Sequence, residues 1–241
     1  MNVSKKFKVF ASMVLVGVLV TVNAVGAQAY DGKKAADYAK KHAENYNSNY
    51  PDFDKDGGDC TNFASQCVFA GGIAKDPVPT KNIKYSHIND IYKTKDYWNS
   101  AKYTRTTTLF GWTVRSKTGF VTTSTWSVVS KNDSDSWWGF YNYMKNEGAS
   151  AKEYSVDTVA KLNTFIAACD VGDVLQIRSG TNVNKWHSVI VTDKSYDYTN
   201  KRYDMKIAYH TSNTPPTDFR SSRWRAFGTD SLWTIIKVSK I

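Results

Sequence analysis

Apolar residues recur along this chain with two different periods, and the change of period divides it. Ala36, Tyr38, Ala39, Ala43 and Tyr46 are spaced for one buried stripe, which predicts an amphipathic helix over 33–47. A polar stretch containing proline and glycine, 47–59, predicts a loop. A second helix is predicted over 61–70 and ended by Gly71-Gly72. Asp133 or Ser134 offers a cap for a third helix, through Met144 and ending at Gly148. Asp157 offers one for a fourth, through Ala168. Beyond 170 the period shortens: DVLQI (173–177), HSVIVT (187–192), MKIAYH (205–210) and LWTIIKV (232–238) read as strands separated by turn-rich gaps. Between 76 and 131 neither period holds, and segments such as TLFGWTV and GFVTTSTWSVV read either as strands or as packed loops. Helices first and an antiparallel meander last predict an α+β fold.

The first 29 residues stand apart from this pattern. Lys5, Lys6 and Lys8 precede a mostly apolar run from Val9 to Val25, and Ala27-Gln28-Ala29 supplies the small residues of a cleavage site. This is the pattern of a secretory signal peptide, residues 1–29, removed after Ala29 to leave one domain over 30–241. An uncleaved anchor fits less well, because Ser12, Thr21 and Asn23 interrupt the run. Removal takes away three lysines and no acid, so 212 residues remain and the formal charge falls from +10 to +7. Such a charge favours anionic surroundings, among them a cell wall rich in phosphate polymers, although solubility alone also accounts for it. Lysines and arginines are spread along the chain and no nucleic-acid motif is present, so nucleic acid is not expected as a partner. A monomer associated with the cell envelope is expected.

Three cysteines are too few for a disulfide framework, and an odd count leaves at least one free. Cys67 and Cys169 read as small buried apolar residues, and a bridge between them is compatible with the sequence. Cys60 is different. In GGDCTNFASQC (57–67) it stands where a glycine turn meets a helix start, a position predicted to leave the sulfur accessible and to favour thiolate. A thiol nucleophile needs a base, and the base an orienting partner. Of four histidines, His42 and His87 have no supporting motif. His187 opens a buried strand and is the candidate base. His210 ends the adjacent predicted strand, is followed by Asn213, and would fix the His187 tautomer if the strands pair.

Two further features carry weaker signals. Asp52, Asp54 and Asp56 before Gly57 give the first half of a calcium loop, but Phe63 stands where such a loop needs glutamate. A solvated acidic loop is the favoured reading and calcium the alternative; no cofactor is required by the chemistry. Trp98, Trp112, Trp126, Trp137 and Trp138 fit core packing better than sugar stacking.

The order GDCTNFASQ, VGDVLQI, WHSVIVT, IAYHTSN resembles the putative amidase domain family of secreted Gram-positive proteins, itself similar to papain-like cell-wall peptidases of the NlpC and CHAP types. The resemblance covers roughly residues 33–240. It implies a papain-like fold, Cys60 as nucleophile, His187 as base, and His210 or Asn213 as orienter. Asp59 would support the helix start rather than react. The oxyanion would be held by the Cys60 backbone N–H, with Tyr46 or Tyr50 as candidate side-chain donors. The implied substrate is an amide bond in peptidoglycan or a cell-surface peptide. Two alternatives stay open from the residues: a non-catalytic wall-binding module, and a transglutaminase-like acyltransferase using the same thiol.

Overall fold

In the computed structural model, residues 29–56, 58–130, 136–182, 184–210, 215–224, 226–228 and 230–241 are described. The predicted signal peptide therefore lies outside the described residues, apart from Ala29. Among those described, no helix is long and apolar enough to cross a membrane.

The fold is α+β, as the two periods predict. Among the described residues five α-helices occur: α1 (Gly32–His42), α2 (Cys60–Ala70), a single turn α3 (Ser124–Ser127), α4 (Phe140–Asn146) and α5 (Val159–Ala168). The strands are β1 (Asp90–Tyr92), β2 (Ser100–Leu109), β3 (Trp112–Thr123), β4 (Ser150–Ser155), β5 (Val174–Ser179), β6 (His187–Asp197), β7 (Arg202–Ala208), β8 (Thr217–Asp218) and β9 (Ser231–Lys237). A six-stranded antiparallel sheet has the order β4-β9-β5-β6-β7-β8, and a smaller one the order β1-β3-β2. The predicted meander is thus realised from β5 to β7, and β8 adds an unpredicted edge strand beside β7. The last strand instead returns to the far side of β5, where Val174 pairs with Ile236 and Ile177 with Trp233.

Side-chain alternation gives this sheet two apolar faces. Even-numbered residues Val174, Ile190, Ala208 and Ile236 pack with Phe63, Ala64, Cys67 and Val68 of α2 and with the alanines of α1. Odd-numbered residues Leu175, Ile177, Val189, Ile207 and Trp233 pack with Leu162, Phe165 and Ile166 of α5. The helix pair on one face and α5 on the other make a three-layer core. Because Cys67 lies in the first apolar cluster and Cys169 in the second, the bridge that the sequence permits does not form, and all three thiols are free.

Local chemistry explains most element ends. Asp31 caps α1 by accepting from the Lys34 N–H, and Thr158, not the expected Asp157, caps α5 through the Lys161 N–H. Helix α1 is shorter than predicted and ends at His42, where the chain turns toward α2. Helix α4 begins only at Phe140; the predicted caps Asp133 and Ser134 lie outside the described residues. At Gly172, φ is +90°, and an added Cβ would overlap the backbone of Gly32. Only glycine at both positions lets the start of α1 touch the turn before β5. The ambiguous stretch 76–131 supplies the β2–β3 hairpin. Trp98 and Trp126 are buried as packing residues, whereas Trp112 is exposed near the hairpin tip.

Candidate active site

Helix α2 delivers Cys60 from a tight turn. Gly58 adopts φ +112°, a conformation side chains rarely take, and Asp59 follows at the N-cap. The Asp59 carboxylate makes no capping bond to its own helix. It accepts from the Phe53 N–H at 3.1 Å and the Asn62 amide at 2.7 Å, and it pairs with His210 Nδ1 at 2.6 Å. The turn that carries Cys60 is therefore held by the residue before it.

The sulfur faces strand β6. The Ser188 backbone amide favours its charged form, and the Thr61 hydroxyl lies 3.8 Å away. Thr61 Oγ1 and Ser188 Oγ are 3.0 Å apart, and Gln176 Nε2 donates to Ser188 Oγ at 3.0 Å and to the Val129 carbonyl at 3.3 Å. This buried polar chain joins the first turn of α2 to two sheet strands and to the wall of a cleft of about 190 Å³. Phe53, Gly58, Cys60, Ile91, Val128 and Trp186 line that cleft.

Cys60 is only 6 % exposed. Burial pushes its thiol above the ordinary value; the bonds from Ser188 and Thr61 act in the opposite sense, and the Asp59 charge adds to the rise. The sequence predicts an accessible sulfur biased toward thiolate. The helix N-terminus is where it was expected, but the cleft walls and Ser188 cover the sulfur, and desolvation is the larger effect.

His187 begins β6, one peptide unit from the amide that meets the sulfur. Its ring stands edge-on to Tyr209 with centroids 4.8 Å apart, and Phe227 and Trp186 lie at 5.5 and 5.6 Å. Alternation assigns it to the sheet face of Val189 and Tyr209. Ser188 and His210 belong to the opposite face, against α2.

That parity corrects the expectation for His210. Strands β6 and β7 do pair, but the register Ile190↔Ala208 places even residues beside even ones. His210 is held between Tyr46 and Phe63, with ring centroids at 4.0 and 3.9 Å. Its Nδ1 meets Asp59 Oδ2 at 2.6 Å and its Nε2 the His42 carbonyl at 2.7 Å. It thus joins the residue before Cys60 to the end of α1. A carbonyl only accepts, so Nε2 carries a proton, and Nδ1 and the carboxylate share a second one. Imidazolium with carboxylate, or imidazole with carboxylic acid, leaves the buried pair without net charge. Burial pushes Asp59 up, against the opposing effect of His210, Asn62 and the Phe53 amide.

Other expected residues fall as follows. Asn213 lies outside the described residues. Asp52 accepts from the Asp54 N–H and Asp54 from the Tyr46 hydroxyl, while the Asp56 side chain is outside the described set. Among the described residues no cluster of three or more His, Cys, Asp or Glu side chains is arranged to hold a metal. Tyr46 is engaged with Asp54 and His210, and Tyr50 stacks on Trp126, so neither lines the cleft. Thr61, Gln176 and Ser188 were missed by the sequence reading. Gln176 carried the one available signal, an amide inside an otherwise apolar strand.

A family model described as "Putative amidase domain" matches residues 29–234, a span that includes Cys60, His187, His210 and Asn213. No curated protein and no solved structure matches the chain. With most of its length matched, the chain belongs to the putative amidase domain family and is, at that level of description, a hydrolase of amide bonds.

Proposed function

We propose that this is a secreted cysteine amidase or peptidase that cleaves an amide bond in peptidoglycan or a cell-surface peptide. The observation that carries the reading is the position of the Cys60 sulfur: at the N-terminus of an 11-residue helix, in a cleft, against the amide next to His187. The pattern of residues 1–29 supports export, and the basic charge supports residence near an anionic envelope.

The raised thiol shapes the mechanism. His187 removes the Cys60 proton as the sulfur attacks the carbonyl carbon, rather than holding a thiolate beforehand. The new C–S bond places negative charge on the carbonyl oxygen, where the Cys60 N–H and the first turn of α2 stabilise it. His187 then gives its proton to the leaving amine, and the C–N bond breaks. Water, deprotonated by His187, hydrolyses the thioester and restores the thiol. Asn213 takes the orienting role in this scheme, because both ring nitrogens of His210 are committed to Asp59 and His42. The apolar cleft, with Trp186 at its rim, suits a peptide side chain better than a glycan strand.

The test is mass spectrometry of purified peptidoglycan after incubation with the protein, comparing wild type with Cys60→Ala and His187→Ala. Peptide fragments with new amino or carboxyl ends should form with wild type only. Equal release by Cys60→Ala would remove the cysteine mechanism.

A further inference from the structure

The β2–β3 hairpin leaves the globule. Residues 106–116 are exposed on both faces of the ribbon, so about 15 Å of it projects beyond the last partly buried pair, Arg105 and Lys117. A two-stranded ribbon with no supporting layer is marginal in water, and a polar tip is the usual choice. This tip is apolar. Leu109 is 57 % exposed, Phe110 91 %, Trp112 78 % and Val114 59 %.

The turn itself is unusual. Phe110 and Gly111 have φ of +50° and +82°, the pattern of a two-residue hairpin turn that normally favours Asn-Gly or Asp-Gly. A bulky phenylalanine in the left-handed region is strained, and here its ring gains no packing in return. Leu109 pairs with Trp112, which sets those two side chains on one face beside the Phe110 turn. Between Thr107 and Thr108 the register shifts, and Val114 is the extra residue on the opposite strand.

Charge is arranged behind the apolar tip. No aspartate or glutamate occurs from 97 to 132, whereas Lys102, Arg105, Arg115 and Lys117 all lie on the hairpin. Arg115 packs over the Tyr85 ring three residues from Trp112, about 10 Å back from the tip. Apolar and aromatic side chains in front, with cations about one headgroup layer behind, match the depth profile of an anionic bilayer surface. The tip is convex, so it offers no groove to a protein segment. A second copy of this hairpin would bring four more cations and no carboxylate against the first.

We propose that the β2–β3 hairpin is a membrane-surface anchor, which inserts Leu109, Phe110, Trp112 and Val114 into the interface of an anionic lipid bilayer. The cleft wall residues Ile91, in the strand paired with β3, and Val128, just after α3, lie near the hairpin's base. Anchoring would therefore hold the Cys60 cleft about 30 Å from the inserted tip, the length of β3 between Trp112 and Thr122. This inference does not depend on the amide chemistry.

The experiment measures partition of the purified protein into vesicles of phosphatidylcholine alone and of phosphatidylcholine with phosphatidylglycerol. Binding to the anionic vesicles should exceed binding to the neutral ones, by roughly fivefold per cation that reaches the surface, and should weaken in high salt. Phe110→Asp with Trp112→Asp should reduce anionic-vesicle partition at least tenfold while the melting temperature stays unchanged. Phe110→Cys, labelled with an environment-sensitive dye while the three native thiols remain buried, should show a blue shift on adding anionic vesicles. The proposal is overturned if the double aspartate variant partitions like wild type, or if the dye at position 110 does not shift. Binding to a soluble polyglycerol phosphate that is as strong as to vesicles and indifferent to Phe110 and Trp112 would also overturn it, by assigning the charge to a wall polymer. So would a dimer that the double variant dissociates.

Discussion

Replacing His210 by alanine removes the partner of a buried carboxylate and a ring packed between two others. Asp59 keeps its bonds from Phe53 and Asn62 but loses the 2.6 Å contact that balances its charge. Breaking a buried pair by deleting one partner costs about 3–5 kcal/mol. The faces against Tyr46 and Phe63 contribute about 0.5–1.5 kcal/mol each beyond area burial. These effects overlap, since protonation of Asp59 relieves part of the first, so a loss of about 4 kcal/mol is expected. Against a typical total of about 5–15 kcal/mol that is a large fraction. Urea unfolding should therefore show a much lower midpoint with an unchanged slope. His210→Phe retains the stacking and removes only the bonds. Combined with Asp59→Asn in a double-mutant cycle, it should give a coupling of about 2 kcal/mol. Under conditions where His210→Phe is folded, amide hydrolysis should stay within about tenfold of wild type, because both ring nitrogens of His210 are engaged with Asp59 and the His42 carbonyl. A stable His210→Ala protein, a coupling near zero, or a folded but inactive His210→Phe would refute the reasoning and return His210 to the base.

Two further outcomes follow from the geometry. Since burial raises the Cys60 thiol, its thiolate fraction at neutral pH is below that of an unperturbed cysteine. Iodoacetamide should alkylate Cys60 more slowly than a free thiol at pH 7, with the rate still climbing above pH 9; a fast rate that is flat from pH 6 to 9 would reveal a standing ion pair instead. Gly172→Ala should lower stability by at least about 2 kcal/mol in thermal or urea unfolding, because φ of +90° and contact with Gly32 both oppose a side chain. A neutral effect would mean that the turn before β5 can move away from α1.

What could be read from the sequence follows the range of the interactions. Helix α2 and strands β5, β6, β7 and β9 declare themselves because each places apolar residues with one period over a continuous stretch. Cys60 and His187 were legible for the same reason, as polar residues at the ends of strongly patterned elements. The hairpin was not, because a ribbon exposed on both faces has no burial to write an alternation into its sequence; TLFGWTV looks like a core strand only when its surroundings are ignored. The sequence pairs His210 with His187, whereas its ring nitrogens meet Asp59 and the His42 carbonyl. The error is one of parity: adjacent strands bring together residues on a common face, and whether position 210 shares a face with 187 or with 188 depends on a register that alternates with a one-residue shift. Asp59 and His210 are 151 positions apart, and nothing local in either segment names the other. Yet Asp59 directly precedes Cys60, and a carboxylate that must be buried there needs a partner able to carry positive charge. Of the chain's histidines, His210 fits that need once the strand's even residues are assigned to the α2 face. The pair thus ties the end of α1, the start of α2 and the end of β7 to a single point beside Cys60. The turn that carries the sulfur is held by that tie, and the first turn of α2 is joined to the sheet by the Thr61–Ser188–Gln176 chain.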